Sequence, residues 1–168
     1  MQAMKAAIVH CYGDYINTDV ILPGQYLNLF SPEHLKPHCM EGIDPGFADR
    51  VNTGDIIIGG KNFGTGSSRE HAPIAIQACG ISCIIAVSFA RIFYRNAINI
   101  GLPVFECPDL PLSVRTGDQI QADLPSGRFV IHSVSYQARP HPRVIQDILA
   151  SGGLVSHVRQ RLLKPPHS

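Results

Sequence analysis

Apolar residues along this chain fall into two textures. Between residues 55 and 106 they come in short, near-continuous runs separated by polar or glycine-rich breaks. Asp55–Ile58 (DIII) and Cys83–Val87 (CIIAV) show no polar alternation, the pattern of strands covered on both faces. Leu102–Glu106 reads as a third strand. Ala72–Cys79 is apolar enough for a buried helix with Gly80 as its stop, and Arg91–Ile98 (RIFYRNAI) reads as a helix ended by Gly101. Strand, helix, strand, helix, strand is the order of a parallel α/β unit. Upstream, Lys5–His10 (KAAIVH) reads as an opening strand and Tyr12 to Thr18 as a polar turn. Val20 to Leu22 is a short apolar piece broken by Pro23-Gly24. Pro32–Lys36 reads as a short helix with Ser31 as N-cap, Pro32 in the first helical position and Pro37 as its disruptor.

Beyond residue 107 the pattern alternates. Asp118–Leu124 and Arg128–Val134 read as paired strands joined at Pro125-Ser126-Gly127. Pro142–Ala150 reads as a closing helix stopped by Gly152-Gly153, followed by a short amphipathic piece and a frayed tail. The expectation is a single domain over 1–168. Its core spans about 5–107, and a C-terminal hairpin and helices span 108–163.

Composition narrows the function classes. The chain has 168 residues, 45% apolar and 16% charged, enough for a sizeable core. A net charge of +1 without a Lys/Arg run argues against nucleic acid or an acidic membrane face as partner. No stretch reaches the roughly 18 uninterrupted apolar residues of a membrane span. The start lacks the apolar segment of a secretory signal, so the expected location is cytoplasmic. Five cysteines are an odd number for a disulfide framework and suit reduced, buried thiols. Cys79 and Cys83 form a C-x3-C pair without the second pair that zinc requires. His34 and His38 stand four apart, but Pro37 between them breaks the helical geometry a metal would need, so no metal site is assigned.

Chemistry concentrates in GKNFGTGSSREHAP, Gly60–Pro73. Ser67-Ser68-Arg69-Glu70 fits the capping box S-x-x-E, with Ser67 as N-cap and Glu70 reaching back to its amide. Gly64 and Gly66 permit a tight turn before it. A helix start with free amides, two hydroxyls and a guanidinium is a receiver for carboxylate or phosphate. The residues alone leave a plain capped helix equally open. They match neither a P-loop nor a dinucleotide fingerprint, and they lack the G-x-S-x-G of a serine hydrolase.

GKNFGTGSSREHAP, with SFARIFYRNAINIGLP (Ser88–Pro103) and GDYINTDVILPGQYL (Gly13–Leu27), resembles the small subunits of the 3-isopropylmalate dehydratase family. It also resembles the swivelling domain of the wider aconitase family. The resemblance covers about residues 5–107. It implies a three-layer β/β/α swivelling fold, α/β in class, with a mixed, partly barrel-like sheet and flanking helices. It implies a hydro-lyase of leucine biosynthesis that is active only with a large subunit, as a heterodimer or heterotetramer. That large subunit, and not this chain, would carry a 4Fe–4S cluster. The substrate would be a small hydroxy-dicarboxylate.

By the same resemblance Ser67 is the base that removes a proton beside a carboxylate, and Ser68 and Arg69 bind a substrate carboxylate. Asp19 pairs with a histidine of the other subunit, Glu70 and His71 are structural, and Arg91 and Arg95 brace the loop or the subunit interface. The loop after the first motif reads the substrate's variable group. Leu27, Asn28, Leu29 and Phe30 offer no cation to a third carboxylate and three apolar walls to an alkyl group. Asn28 departs from the expected aliphatic residue. Related hydro-lyases of dimethylmalate, citramalate or homoaconitate therefore stand as alternatives, as does a non-catalytic carboxylate-binding module.

Overall fold

The computed structural model describes residues 4–110 and 114–163. Among these, seven strands form one mixed sheet in the order β4-β3-β2-β1-β5-β6-β7. The strands β1 (Lys5–Cys11), β2 (Ile56–Gly59), β3 (Cys83–Ala86) and β4 (Val104–Glu106) run parallel. From the other edge of β1 the sheet continues antiparallel through β5 (Gln119–Asp123), β6 (Arg128–Ile131) and β7 (Val134–Gln137). Three short helices occupy the long connection after β1: α1 (Thr18–Ile21), α2 (Pro32–Leu35) and α3 (Phe47–Arg50). The crossovers between the parallel strands are α4 (His71–Ala78) and α5 (Arg91–Ile100). Two further helices, α6 (Arg143–Ala150) and α7 (Leu154–Leu163), close the described chain.

Side chains alternate across a strand, so the apolar runs of β2 and β3 serve two cores at once. Ile57, Ile84, Ala86 and Val104 face the helices and pack with Phe47, Phe63, Ile76 and Ala97. Ile56, Ile58, Cys83, Ile85 and Phe105 face the other way and pack with Ile120, Phe129 and Ile131 of the antiparallel strands. Helices thus cover one face while the antiparallel half curls over the other. This is the expected β/β/α layering with a half-barrel sheet.

Several local readings hold. Ser31 accepts from the His34 amide at 3.4 Å, with Pro32 beginning α2. Gly101 ends α5 in the left-handed region at φ 83°. Two readings change. The expected strand Arg128–Val134 is broken, because the chain reverses at His132 (φ 48°) and Ser133 (φ 65°) and continues as β7. That turn places two non-glycine residues in a conformation glycine usually fills, so it carries no composition signal. The polar turn before Val20 becomes the N-terminus of α1, where the Asn17 side chain accepts from the Val20 amide at 3.0 Å.

Candidate active site

The loops that follow β1, β2 and β3 all emerge at the carboxyl edge of the parallel strands, where open α/β sheets place their ligand sites. Here they are stitched together by backbone hydrogen bonds. The Tyr15 amide donates to Lys61 at 2.8 Å, Thr18 to Thr65 at 2.8 Å and Gly64 to Ile16 at 2.7 Å. On the other side Phe63 donates to Ser88 at 3.0 Å and Ala90 to Phe63 at 2.9 Å. Single parallel bridges, Asn17 with Thr65 and Phe63 with Phe89, extend the sheet beyond its named strands. Gly64 (φ 80°) and Gly66 (φ 105°) make the sharp turn that follows. A Cβ on Gly64 would stand 2.1 Å from Cγ of Phe93, so only glycine lets this loop press against α5.

The expected capping box does not form. The helix begins at His71, and its N-cap is Glu70, which makes no side-chain capping bond. The reason is Pro73. A helix capped by Ser67 would place Pro73 in its interior, where its missing N–H should donate to the Arg69 carbonyl. With the start at His71, Pro73 falls in the first turn, where no intrahelical donor is needed, and the first bond runs from Ile74 to Glu70 at 3.2 Å. Ser67 therefore lies ahead of α4 in irregular chain. Its carbonyl is held by the Thr18 hydroxyl, which donates to it at 3.1 Å.

Ser67 is exposed and opens on a cavity of about 200 Å³. Arg69 and Thr18 line one side of this cavity, and the first turn of α5 with Arg91 and Asn96 lines the other. The helix whose start faces Ser67 is thus α5 rather than α4. Arg69 is ion-paired with Asp19. A Cβ on Gly24 would sit 3.7 Å from its Nη1, so the guanidinium also lies against the base of the loop expected to read the substrate. Asp19 is the more exposed partner, 61% against 21% for Arg69. In this chain by itself, then, the carboxylate of Asp19 faces Arg69.

The sequence-predicted residues divide into two groups. Ser67, Arg69, Asp19, Gly64 and Gly66 come together. Ser68 is exposed outside the cavity lining, and Glu70 is an exposed N-cap. The recognition loop stands apart from the cavity. Leu27 and Leu29 pack on the helical core, Asn28 is exposed, and the Phe30 ring is 84% exposed, 6.3 Å from His71. The loop is anchored at Tyr26, which stacks on His38 with ring centroids 3.6 Å apart and donates to Glu41 at 3.2 Å. Its backbone bonds are local, Leu27 to Gly24 at 3.2 Å and Leu29 to Tyr26 at 3.0 Å. Thr18 and Asn96 carry no local sequence signal, because the crossing of the loops is what brings them to the cavity.

Nothing among the described residues gathers three His, Cys, Asp or Glu side chains as a metal or cluster would require. His38 is engaged with Glu41 at 2.9 Å. Cys39 and Cys79 pack in the helical core, Cys83 and Cys107 in the other. Burial pushes the Cys83 and Cys107 thiols up, and burial together with Asp118 pushes Cys11 up to about 11. Thiols held this way are poor ligands and poor nucleophiles at neutral pH.

Comparison with known proteins places this geometry. The family model described as Aconitase C-terminal domain matches residues 49–109. The 3-isopropylmalate dehydratase small subunit of Halothermothrix orenii is 52% identical over 150 residues, 88% of this chain and 91% of that one. The 2,3-dimethylmalate dehydratase small subunit of Eubacterium barkeri is 52% identical over 158 residues, 92% of this chain and 97% of that one. The crystal structure of a 3-isopropylmalate dehydratase from Methanocaldococcus jannaschii matches with a TM-score of 0.89 at 44% identity, covering 95% of this chain and 96% of that one. No helix among the described residues is long and apolar enough to cross a membrane.

Proposed function

Because the chain belongs to the family of 3-isopropylmalate dehydratase small subunits, we propose that it is the small subunit of a hydro-lyase of leucine biosynthesis. That enzyme interconverts 2-isopropylmalate and 3-isopropylmalate by dehydration and rehydration, and a large subunit is its partner. A 4Fe–4S cluster on that large subunit would supply Lewis-acid polarisation of the substrate hydroxyl. No residues of this chain are assigned to hold it.

This chain's part is the proton and the anion. Ser67 Oγ takes the proton from the carbon next to a carboxylate. The hydroxyl leaves the neighbouring carbon as water, with a proton from a histidine of the large subunit, and a C=C bond forms; the reverse addition of water with exchanged positions gives the isomer. A serine hydroxyl is far too weak an acid to ionise in water at neutral pH. Its anion needs a positive surrounding, which Arg69 and the first turn of α5 provide. Arg69 holds a substrate carboxylate with Ser68 at the rim. Asp19 orients the guanidinium and faces outward toward the docking large subunit. Leu27, Asn28, Leu29 and Phe30 contact the alkyl substituent once the large subunit closes over them. A third carboxylate would lack a counter-charge there, which excludes tricarboxylates. The exposed Ser67 hydroxyl sharing one cavity with Arg69 is the observation that carries this reading.

Asn28 and the Eubacterium barkeri relative favour 2,3-dimethylmalate as a second substrate. The test is reconstitution with a cluster-bearing large subunit, followed by assay on isopropylmalate, dimethylmalate, citramalate, homocitrate and citrate. Turnover of a branched dicarboxylate by the pair, and none by the large subunit alone, is expected. Ser67→Ala should lower kcat at least ~100-fold while the melting temperature stays put. An undiminished kcat refutes the base assignment, and a preference for citrate or homocitrate refutes the loop argument.

A further inference from the structure

We infer that Arg91 is a substrate-binding residue, the second guanidinium of the Ser67 cavity. The inference rests on the hydro-lyase reading above and adds a residue to it. Charge is the first argument. Arg69 and Arg91 are the charged side chains lining that cavity, and no carboxylate lines it. Arg69 is already matched by Asp19. An anionic substrate entering between them therefore meets a guanidinium already partnered by Asp19 on one wall and, on the other, Arg91, which has no partner among the described residues. Among the described residues Arg91 makes no ion pair and no side-chain hydrogen bond. By contrast Arg50, Arg139 and Arg143 each hold a carboxylate within the chain.

Placement is the second argument. Arg91 is the first residue of α5, is exposed, and lines the cavity. The start of that helix is fixed to the serine loop itself. The Ala90 amide donates to Phe63 at 2.9 Å, and the Phe63 and Phe93 rings meet edge-on at 5.4 Å. The backbone that carries Arg91 is thus tied to the serine loop independently of residues 27–30. Arg91 also borders a neighbouring cavity of about 450 Å³, where Arg139 is paired with Glu106. Arg69 and Arg91 together hold the carboxylate beside the carbon that Ser67 deprotonates.

The test uses the reconstituted two-subunit enzyme with Arg91→Ala, Arg91→Lys and Arg95→Ala. Arg95 lies one turn further along α5 and outside the Ser67 cavity. Arg91→Ala is expected to lower kcat/KM about 30-fold, mainly through KM, because a charge-assisted hydrogen bond is lost. Arg91→Lys should recover part of it, and Arg95→Ala should change kcat/KM less than ~2-fold. The dissociation constant between the subunits, measured by sedimentation, should not change in any variant. The inference is overturned if Arg91→Ala keeps its kcat/KM at saturating large subunit. It is likewise overturned if the variant weakens only subunit association. A wild-type pair with no turnover overturns the hydro-lyase reading and this inference with it, whereas an active wild type with an indifferent Arg91→Ala overturns the inference alone.

Discussion

The parallel and antiparallel halves of the sheet share β1 yet differ in what holds them. In β2 and β3 every residue is buried, whereas β5 alternates exposed and buried and most of β7 is exposed. The parallel half is clamped between two cores, and its outgoing loops are bonded to one another. The antiparallel half covers one of those cores and turns its other face to water. The proposed site lies on the clamped half, where two-sided burial would hold a proton acceptor and a carboxylate receiver at a fixed separation.

The contrast is sharpest in core truncation. Ile84→Ala, at 0% exposure in β3, should cost about 4 kcal/mol in a denaturant melt. Val134→Ala, 50% exposed at the start of β7, should cost about 0.5 kcal/mol. Equal losses would mean the halves are not held differently. Glycine replacement gives the next largest effect. Gly64→Ala meets both a left-handed backbone and the Phe93 ring, and should cost about 3 kcal/mol and displace the Ser67 loop. Gly117→Ala, also left-handed at φ 99° but with open space around it, should cost about 1 kcal/mol and leave activity alone. If Gly64→Ala is as mild as Gly117→Ala, the loop is not pressed against α5.

The smallest effect is one of pH. Burial lowers the pKa of His141, which pairs with the Tyr94 hydroxyl at 3.1 Å and packs on Phe105 with ring centroids 4.8 Å apart. The folded state thus prefers the neutral ring. Its contribution is complete above the unfolded-state pKa of about 6.5 and is lost as pH falls below that value. Melting temperature should drop between pH 7.5 and 5.5 in the wild type and drop less in His141→Gln. An equal drop in both assigns the acid sensitivity elsewhere.

These halves also differ in how openly the sequence announced them. The parallel unit was readable because its apolar runs are uninterrupted and glycines end both crossover helices. The β6–β7 turn was not, because His132 and Ser133 do without the glycine that would have marked it. At the site, Ser67 and Arg69 were readable as a polar cluster after a glycine turn. The body of α4 is legible from its apolar run, but its start is not where the cap signal at Ser67 puts it, because Pro73 fixes the first turn at His71. The Asp19–Arg69 pair and the approach of Arg91 depend on loops crossing in space, which no periodicity encodes.

Residues 27–30 bond only within their own turn, while Ser67 is tied into a ladder shared by three loops. Exchange of those four side chains therefore leaves the reacting groups where they are. On the proposed division of roles, a lineage could drift from one alkyl substituent to another by point changes at the exposed Asn28 and Phe30 of this segment, with the old chemistry continuing to work during the transition. Near-equal kinship to an isopropylmalate and a dimethylmalate enzyme is the kind of family tree such a division of labour allows.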